Sequence, residues 1–379
     1  MLAWVPTLLS PATDPTNVSS MPIGGAIAAS ADSEYSALDR EIERLEQSLA
    51  VDAPGVRLGG LLRPRFVYSN DVDADPSDAE QQDLLGFFLD NVRFDLRGEL
   101  REGWGFLVSI EAGHQAELDT FAGPGVDLLD GYVNVPISSD ATLTLGQFCS
   151  AFLWSVCNPE QCMLFLDRSF IGENWDNRDV GAQIYAAFSQ FEAWLAVQNG
   201  FDAKEDRSAF TGRVAFTAIG DRGWCCEGAS FGETEHMIVG LGYFDDNMMD
   251  DGDAIGADVV FANGRFSAQG EIVRYGDDMM PLPGTDPQSG DIVPVMMDPA
   301  GADTPWSLAA SYALVPREWE LAARYQDLDD DADTTEVSLA VNRYIGRRDL
   351  RWTLQYDHAD SDDPLLDVDV LGVGLTAGF

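Results

Sequence analysis

The run Leu371-Gly-Val-Gly-Leu-Thr-Ala-Gly-Phe379 decides the fold. In an extended chain, successive side chains point to opposite faces. Leu371, Val373, Leu375 and Phe379 then share one face, and Gly372, Gly374, Thr376 and Gly378 share the other. One face is oily and the other small and polar. The run also stops on an aromatic residue, the ending expected of the last strand of a membrane-spanning β-barrel.

The same two-residue period extends back to Gly55. About sixteen segments of roughly ten residues fit it, the length that a tilted membrane strand requires. They begin near Val56, Phe87, Trp104, Leu128, Ala141, Val180, Phe191 and Phe210, and then near Met237, Ala257, Phe266, Trp306, Trp319, Val337, Leu350 and Val368. Arg101-Glu102-Gly103, Asn263-Gly264, Pro316-Arg317-Glu318 and Gly346-Arg347-Arg348-Asp349 separate neighbouring segments and have the composition of tight hairpin turns. Asp-rich stretches at 69–84, 200–208, 220–234, 245–255, 276–304 and 327–334 read as external loops. Aromatics such as Tyr132, Tyr185, Trp194, Trp319, Tyr325 and Trp352 recur near segment ends, as in the interfacial girdles of a barrel or in an ordinary sandwich core. The expected fold is all-β, an antiparallel transmembrane β-barrel of about sixteen strands with both ends on the periplasmic side and a short N-terminal helix or coiled coil.

Composition narrows the function. The longest apolar stretches fall short of the ~18 residues that a membrane helix needs, so a chain that spans lipid must do so as a closed barrel. Acidic residues number 65 against 22 basic ones, a net charge of −43, and Lys204 is the only lysine. Nucleic acid is excluded as a partner, because phosphates bind through Lys and Arg. The acidic field favours solubility in high salt and suits a salt-adapted source. Nothing in the sequence calls for a cofactor.

Three domains follow. Residues 1–31 resemble an export signal, with an Ala29-Ser30-Ala31 cleavage triplet but no positive charge before it. Within 32–54, Tyr35, Leu38, Ile42, Leu45 and Leu49 repeat at heptad spacing, either as an amphipathic helix packed on the barrel mouth or as a short periplasmic coiled coil. Residues 55–379 form the barrel. Cys149, Cys157 and Cys162 lie in one short segment, and a disulfide among them is expected in an oxidising compartment; a zinc site is the alternative, without a nearby histidine.

Several stretches resemble the phosphate-selective porin O and P family. They are Asp90–Leu100, Trp104–Ala112, Leu128–Asn134, Leu145–Phe148, Phe165–Ser169, Arg178–Ile184, Val197–Gly200, Ala268–Ile272, Trp319–Leu328 and Leu350–His358, which keep the family order. The resemblance implies an outer-membrane homotrimer of sixteen-stranded barrels, each narrowed by its third loop and passing small ionic solutes. It also implies phosphate selectivity, resting on arginines along the lumen and lysines at the constriction. The sequence departs there: Cys149 stands at a position often basic in the family, and lysine is almost absent.

Alternation places Arg57, Arg63 and Arg65 on one face of the first strand, and Arg93, Asp95, Arg97 and Glu99 on one face of the second. An Arg facing lipid at mid-depth costs about 2–4 kcal/mol, so these sets are expected to line the lumen. There they either favour anions or hold the wall together as mixed ladders. Residues 149–178 are too long for a turn and mix Phe152, Trp154, Phe165 and Phe170 with Asp167, Arg168, Glu173, Asp176 and Arg178. They are read as a loop that packs on the inner wall and presents charges to the solute, or as an external loop with its own cluster. Clusters around Asp250, Asp251 and Asp253, and around Asp329 and Asp331, are weak metal candidates beside the reading as solvated loops. A lipid-hydrolysing barrel would need a pair such as Ser311 or Ser338 with His358, and no Gly-x-Ser-x-Gly elbow is present. A non-conducting envelope anchor acting through residues 33–50 is the remaining alternative.

Overall fold

The computed structural model describes residues 55–72, 82–100, 103–112, 126–156, 158–176, 178–199, 208–223, 226–229, 231, 235–246, 253–276, 303–362 and 367–379. The export-signal and heptad readings lie outside these residues.

Sixteen strands form the wall. They are β1 (Arg57–Val72), β2 (Gln82–Glu99), β3 (Gly105–Glu111), β4 (Asp127–Ser138), β5 (Ala141–Cys149), β6 (Arg178–Phe188), β7 (Phe191–Gln198) and β8 (Ala209–Ile219). The second half consists of β9 (His236–Asp246), β10 (Asp253–Ala262), β11 (Phe266–Tyr275), β12 (Trp306–Val315), β13 (Trp319–Asp327), β14 (Thr335–Arg347), β15 (Leu350–Asp360) and β16 (Val368–Gly378). Each strand pairs with its sequence neighbours, and β16 closes on β1, with Phe66 opposite Val373 and Leu62 opposite Ala377. The barrel has no free edge, so every strand finds backbone partners on both sides. Pro64, which has no N–H to donate, sits where the β1–β2 register shifts.

The alternation is the reverse of a soluble protein's. On β13, Glu320, Ala322, Arg324 and Gln326 are buried, whereas Trp319, Leu321 and Tyr325 are exposed. β15 repeats the pattern, with Arg351, Thr353 and Gln355 buried and Trp352, Leu354 and Tyr356 exposed. Polar side chains point into the lumen and apolar ones face outward, which is stable only if the outside is hydrocarbon.

Connections alternate between the two ends of such a meander. The tight turns and both ends of the barrel domain share one, here the turn end. At Asn263-Gly264 the Asn263 Oδ1 accepts the backbone N–H of Phe266 at 2.8 Å while Gly264 adopts φ +80°, a conformation that glycine takes without steric cost. Strand parity corrects one expectation. The stretch 220–234 joins β8 to β9 and therefore belongs to the turn end, not among the external loops. Its acidic composition suggested an external position, but composition does not fix which end a connection occupies.

Candidate functional site

Between β5 and β6 the chain leaves the wall, and its described residues 150–156 and 158–176 fold into the lumen. The segment contains a single 3-10 turn at Glu160–Cys162 and a short helix, α1 (Phe170–Asn174), capped by Ser169 Oγ, which accepts the Gly172 N–H at 3.1 Å. Its underside is apolar. Phe152, Leu153, Val156, Ile171 and Trp175 pack against Ala209, Phe244, Ala254, Val273 and Tyr275 of β8–β11, with the Phe152 and Trp175 rings 4.1 Å apart. Further along, Leu164 and Phe165 rest on Ala309, Ala322 and Ala340 of β12–β14. The wall is cut away to receive these side chains. A Cβ at Gly242 would collide with the Phe152 carbonyl, and one at Gly374 with Leu166 Cδ2. Side chains of the wall also take up the loop backbone: Ser155 N–H donates to Glu271 (2.8 Å), Leu166 N–H donates to Gln355 (2.6 Å), and Asn342 donates to the Leu164 carbonyl (2.9 Å). Polar backbone buried in the lumen is thereby paired.

The opposite flank is held by charge. From Glu111 on β3, a chain of ion pairs runs through Arg93 (2.6 Å) to Glu160 (2.7 Å) and Arg168 (3.2 Å), then through Asp176 (3.1 Å) to Arg178 (2.6 Å), which faces Asp130 of β4 at 3.7 Å. Burial would raise the Glu160 carboxyl, but Arg93 and Arg168 outweigh it and hold the group well below the usual carboxylate range. Glu173 has no such compensation: burial, reinforced by Asp176, pushes it up to about 7.

A third group of charges surrounds the exposed tip of the loop, where the Asp167 side chain is 54% accessible. Arg65 pairs with both Asp90 and Asp167 at 2.8 Å. Arg324 donates to the Asp167 carbonyl (3.0 Å) and pairs with Glu336 (3.1 Å). Asp357 faces Glu336 and Asp167 and accepts from Gln355 at 2.9 Å. Burial would raise the Asp167 carboxyl, yet Arg65, Arg63 and Arg324 lower it, so it is anionic at neutral pH. Three guanidinium groups, those of Arg63, Arg65 and Arg324, thus stand among four carboxylates.

The predicted residues fall into these groups unevenly. Arg63, Arg65, Arg93 and Asp95 point inward, and each arginine is engaged: Arg63 by Asn91 (2.9 Å) and the Leu166 carbonyl, and Arg97 by Asp95. Arg57 and Glu99 lie at the turn end, away from the loop. Asp167, Arg168, Glu173, Asp176 and Arg178 all lie on or beside the inward segment, although Arg168 and Asp176 hold the loop in place rather than facing an opening. Glu160, Arg324, Glu336 and Asp357 were not singled out from the sequence. The inward glycines and alanines of β9–β16 were a readable sign that something packs there.

Several expectations are corrected. Cys162 pairs with Cys226, 64 residues away, and not within its own segment; Cys149 is buried against Trp175, and Cys157 lies outside the described residues. Proximity in sequence misleads here, because the inward fold carries Cys162 to the far end of the barrel. Ser338 is buried toward the lumen, donating to Glu336, whereas His358 stands on the outer side beside Tyr356, at Asp369 (3.1 Å), so they form no pair. Ser311 is likewise buried, donating to Glu320. Among the described residues no group of His, Cys, Asp and Glu is arranged to hold a metal ion. Asp250 and Asp251 lie outside them. Asp329 and its neighbours serve as turn residues: Asp327 accepts the Asp329 N–H (3.0 Å) and Asp330 accepts the Thr334 N–H (2.7 Å).

A closed barrel with an oily exterior, a polar lumen and a loop folded across it defines a pore-type protein of the outer membrane. The sequence matches the family Gram-negative porin over residues 19–364, and the chain belongs to that family. No curated protein matches it. Among solved structures, a mutant of the Rhodopseudomonas blastica porin aligns with a TM-score of 0.53 at 14% identity, over 86% of this chain and 100% of the other. A loop-deletion mutant of OmpT, an outer-membrane protein of Vibrio cholerae, aligns with a TM-score of 0.53 at 13% identity, over the same shares. These likenesses concern the fold.

Proposed function

We propose that the protein is a passive channel for small hydrophilic solutes, narrowed by residues 150–177 and selecting for cations over anions. The observation that carries this reading is the belt at the loop tip, where the four carboxylates of Asp90, Asp167, Glu336 and Asp357 outnumber the guanidinium groups of Arg63, Arg65 and Arg324. Rings of carboxylates attract cations into a narrow aqueous pore. The acidic field of the whole chain acts in the same direction. The anion or phosphate preference implied by the porin O and P resemblance has less support. Its lumen arginines are present, but they are engaged by Asn91, Asp95, Glu111, Glu160 and Asp167. Bound guanidinium groups stabilise the wall and offer little net positive charge to a passing anion.

Reversal potentials in planar bilayers under a KCl gradient test this. Stepwise currents with a cation-selective reversal potential are expected, with no change when chloride is replaced by phosphate. An anion-selective reversal potential would overturn the selectivity, and the lack of any current would overturn the channel.

A further inference from the structure

The connection between β8 and β9 is the odd one of the turn end. Its neighbours are hairpins of a few residues, whereas it spans residues 220–235, and its described residues 226–229 and 231 pack inside the barrel. There it meets the inward loop, which comes from the opposite end. Cys226 is disulfide-bonded to Cys162. Glu227 is held on four sides: its N–H donates to the Cys162 carbonyl (3.0 Å), its carboxylate accepts the Leu164 N–H (2.6 Å) and Gln269 (3.1 Å), and its carbonyl accepts from Arg348 (3.3 Å). Ala229, fully buried, donates its N–H to Glu320 of β13 at 2.6 Å. Gly228 adopts φ +84°, and a Cβ there would lie 2.8 Å from Leu164 Cδ2 and 2.9 Å from Glu320 Oε1, so a larger residue would be strained. Phe231 closes the layer, edge-on to Tyr344 at 5.0 Å and under the guanidinium groups of Arg317 and Arg348.

We propose that residues 226–229 with Phe231 are a second constriction element, laid under the inward loop from the turn side, and that Cys162–Cys226 is the latch that fixes the bore. The inference rests on the channel reading above. The latch is reachable: a cavity of about 510 Å³ opens at the turn end, lined by Gln161, Cys162, Phe231, Arg317 and Arg347–Asp349. A small dithiol entering there reduces the bond by exchange. Its thiolate attacks one sulfur, the second cysteine leaves as a thiolate and takes up a proton, and the dithiol's other thiol resolves the mixed disulfide. Two cysteine thiols and one oxidised dithiol result. With the latch open, the turn-side layer retains its hydrogen bonds but loses its covalent hold on Cys162, and both layers gain freedom to part.

The experiment uses the full-length oxidised protein in planar bilayers, with dithiothreitol added to one side at a time and liposome swelling with neutral sugars of increasing size in parallel. Dithiothreitol on the turn side is expected to raise single-channel conductance about two-fold, because the narrowest section limits current, and to admit larger sugars. Cys162→Ser should start at the raised level and ignore the reductant. Heat-modifiable migration on gels checks that the variant is folded. Equal conductance and equal sugar cut-off in oxidised and reduced wild-type protein would overturn the latch while leaving the channel intact. A wild-type protein that passes no current in either state would overturn the channel reading and the latch with it.

Discussion

The two flanks of the inward loop are built on opposite physics. Toward β8–β11 it is seated by Phe152, Leu153, Ile171 and Trp175 in a dry contact with Phe244, Val273 and Tyr275. Toward β2–β6 it is held by alternating charges from Glu111 through Glu160 and Arg168 to Asp130. Apolar burial is non-directional and depends on the area covered, so it fixes where the loop lies. Ion pairs are directional and depend on every member being present, so they fix how charge is distributed around the pore. Position and selectivity are therefore separable, and substitutions on the two flanks should change different properties.

The largest effect is expected on the apolar flank. Trp175→Ala should weaken the seating by about 3–5 kcal/mol. New protease cleavage within 150–177 of the folded protein and a larger, noisier channel current would report it, while an uncut loop would show that the seating does not depend on this ring. On the charged flank, Glu160→Gln removes the buried carboxylate that Arg93 and Arg168 share, leaving each with one acidic partner, at a cost of about 3 kcal/mol. Because the site is screened little by solvent, added salt should not restore the loop; recovery at high salt would break the contrast drawn here.

Glu173 gives a finer test. Its carboxyl titrates near 4.5 in the unfolded chain and is raised to about 7 in the fold. The native state therefore binds more protons between these values, and its stability is fully present at low pH and is lost as pH rises through about 7. Glu173→Gln should remove this loss, worth ~1–3 kcal/mol at alkaline pH. Urea midpoints of the loop transition at pH 5 and pH 9 should then differ less in the variant than in the parent; an equal difference would place the titration elsewhere. The smallest effect belongs to the arginines of the first two strands. Arg63→Ala with Arg97→Ala should shift the reversal potential a few millivolts further toward cations, since both guanidinium groups are already engaged. A large shift would mean that they act on solutes directly.

The wall was legible from residue order because a barrel strand is a local object. Whether Glu320 or Leu321 faces lipid is fixed by the two-residue period and by the cost of charge in hydrocarbon, and both can be read from Trp319–Asp327 alone. The tight turns follow for the same reason, since Asn263-Gly264 carries its own geometry. The inward loop was partly legible: a mix of Phe152, Phe165, Arg168 and Asp176 suits neither a solvated loop nor a strand. Its partners were not, because Arg93 and Glu160 stand 67 residues apart and no local pattern links them.

The sequence by itself therefore determined the barrel, its approximate strand count and the side of each strand that faces lipid. Each follows from periodicity, charge cost and length. Only the tertiary structure decided that the lumen arginines are engaged, that four carboxylates gather at the loop tip, and that Cys162 finds Cys226. Those contacts are made across the lumen between segments whose order along the chain carries no record of their distance in space.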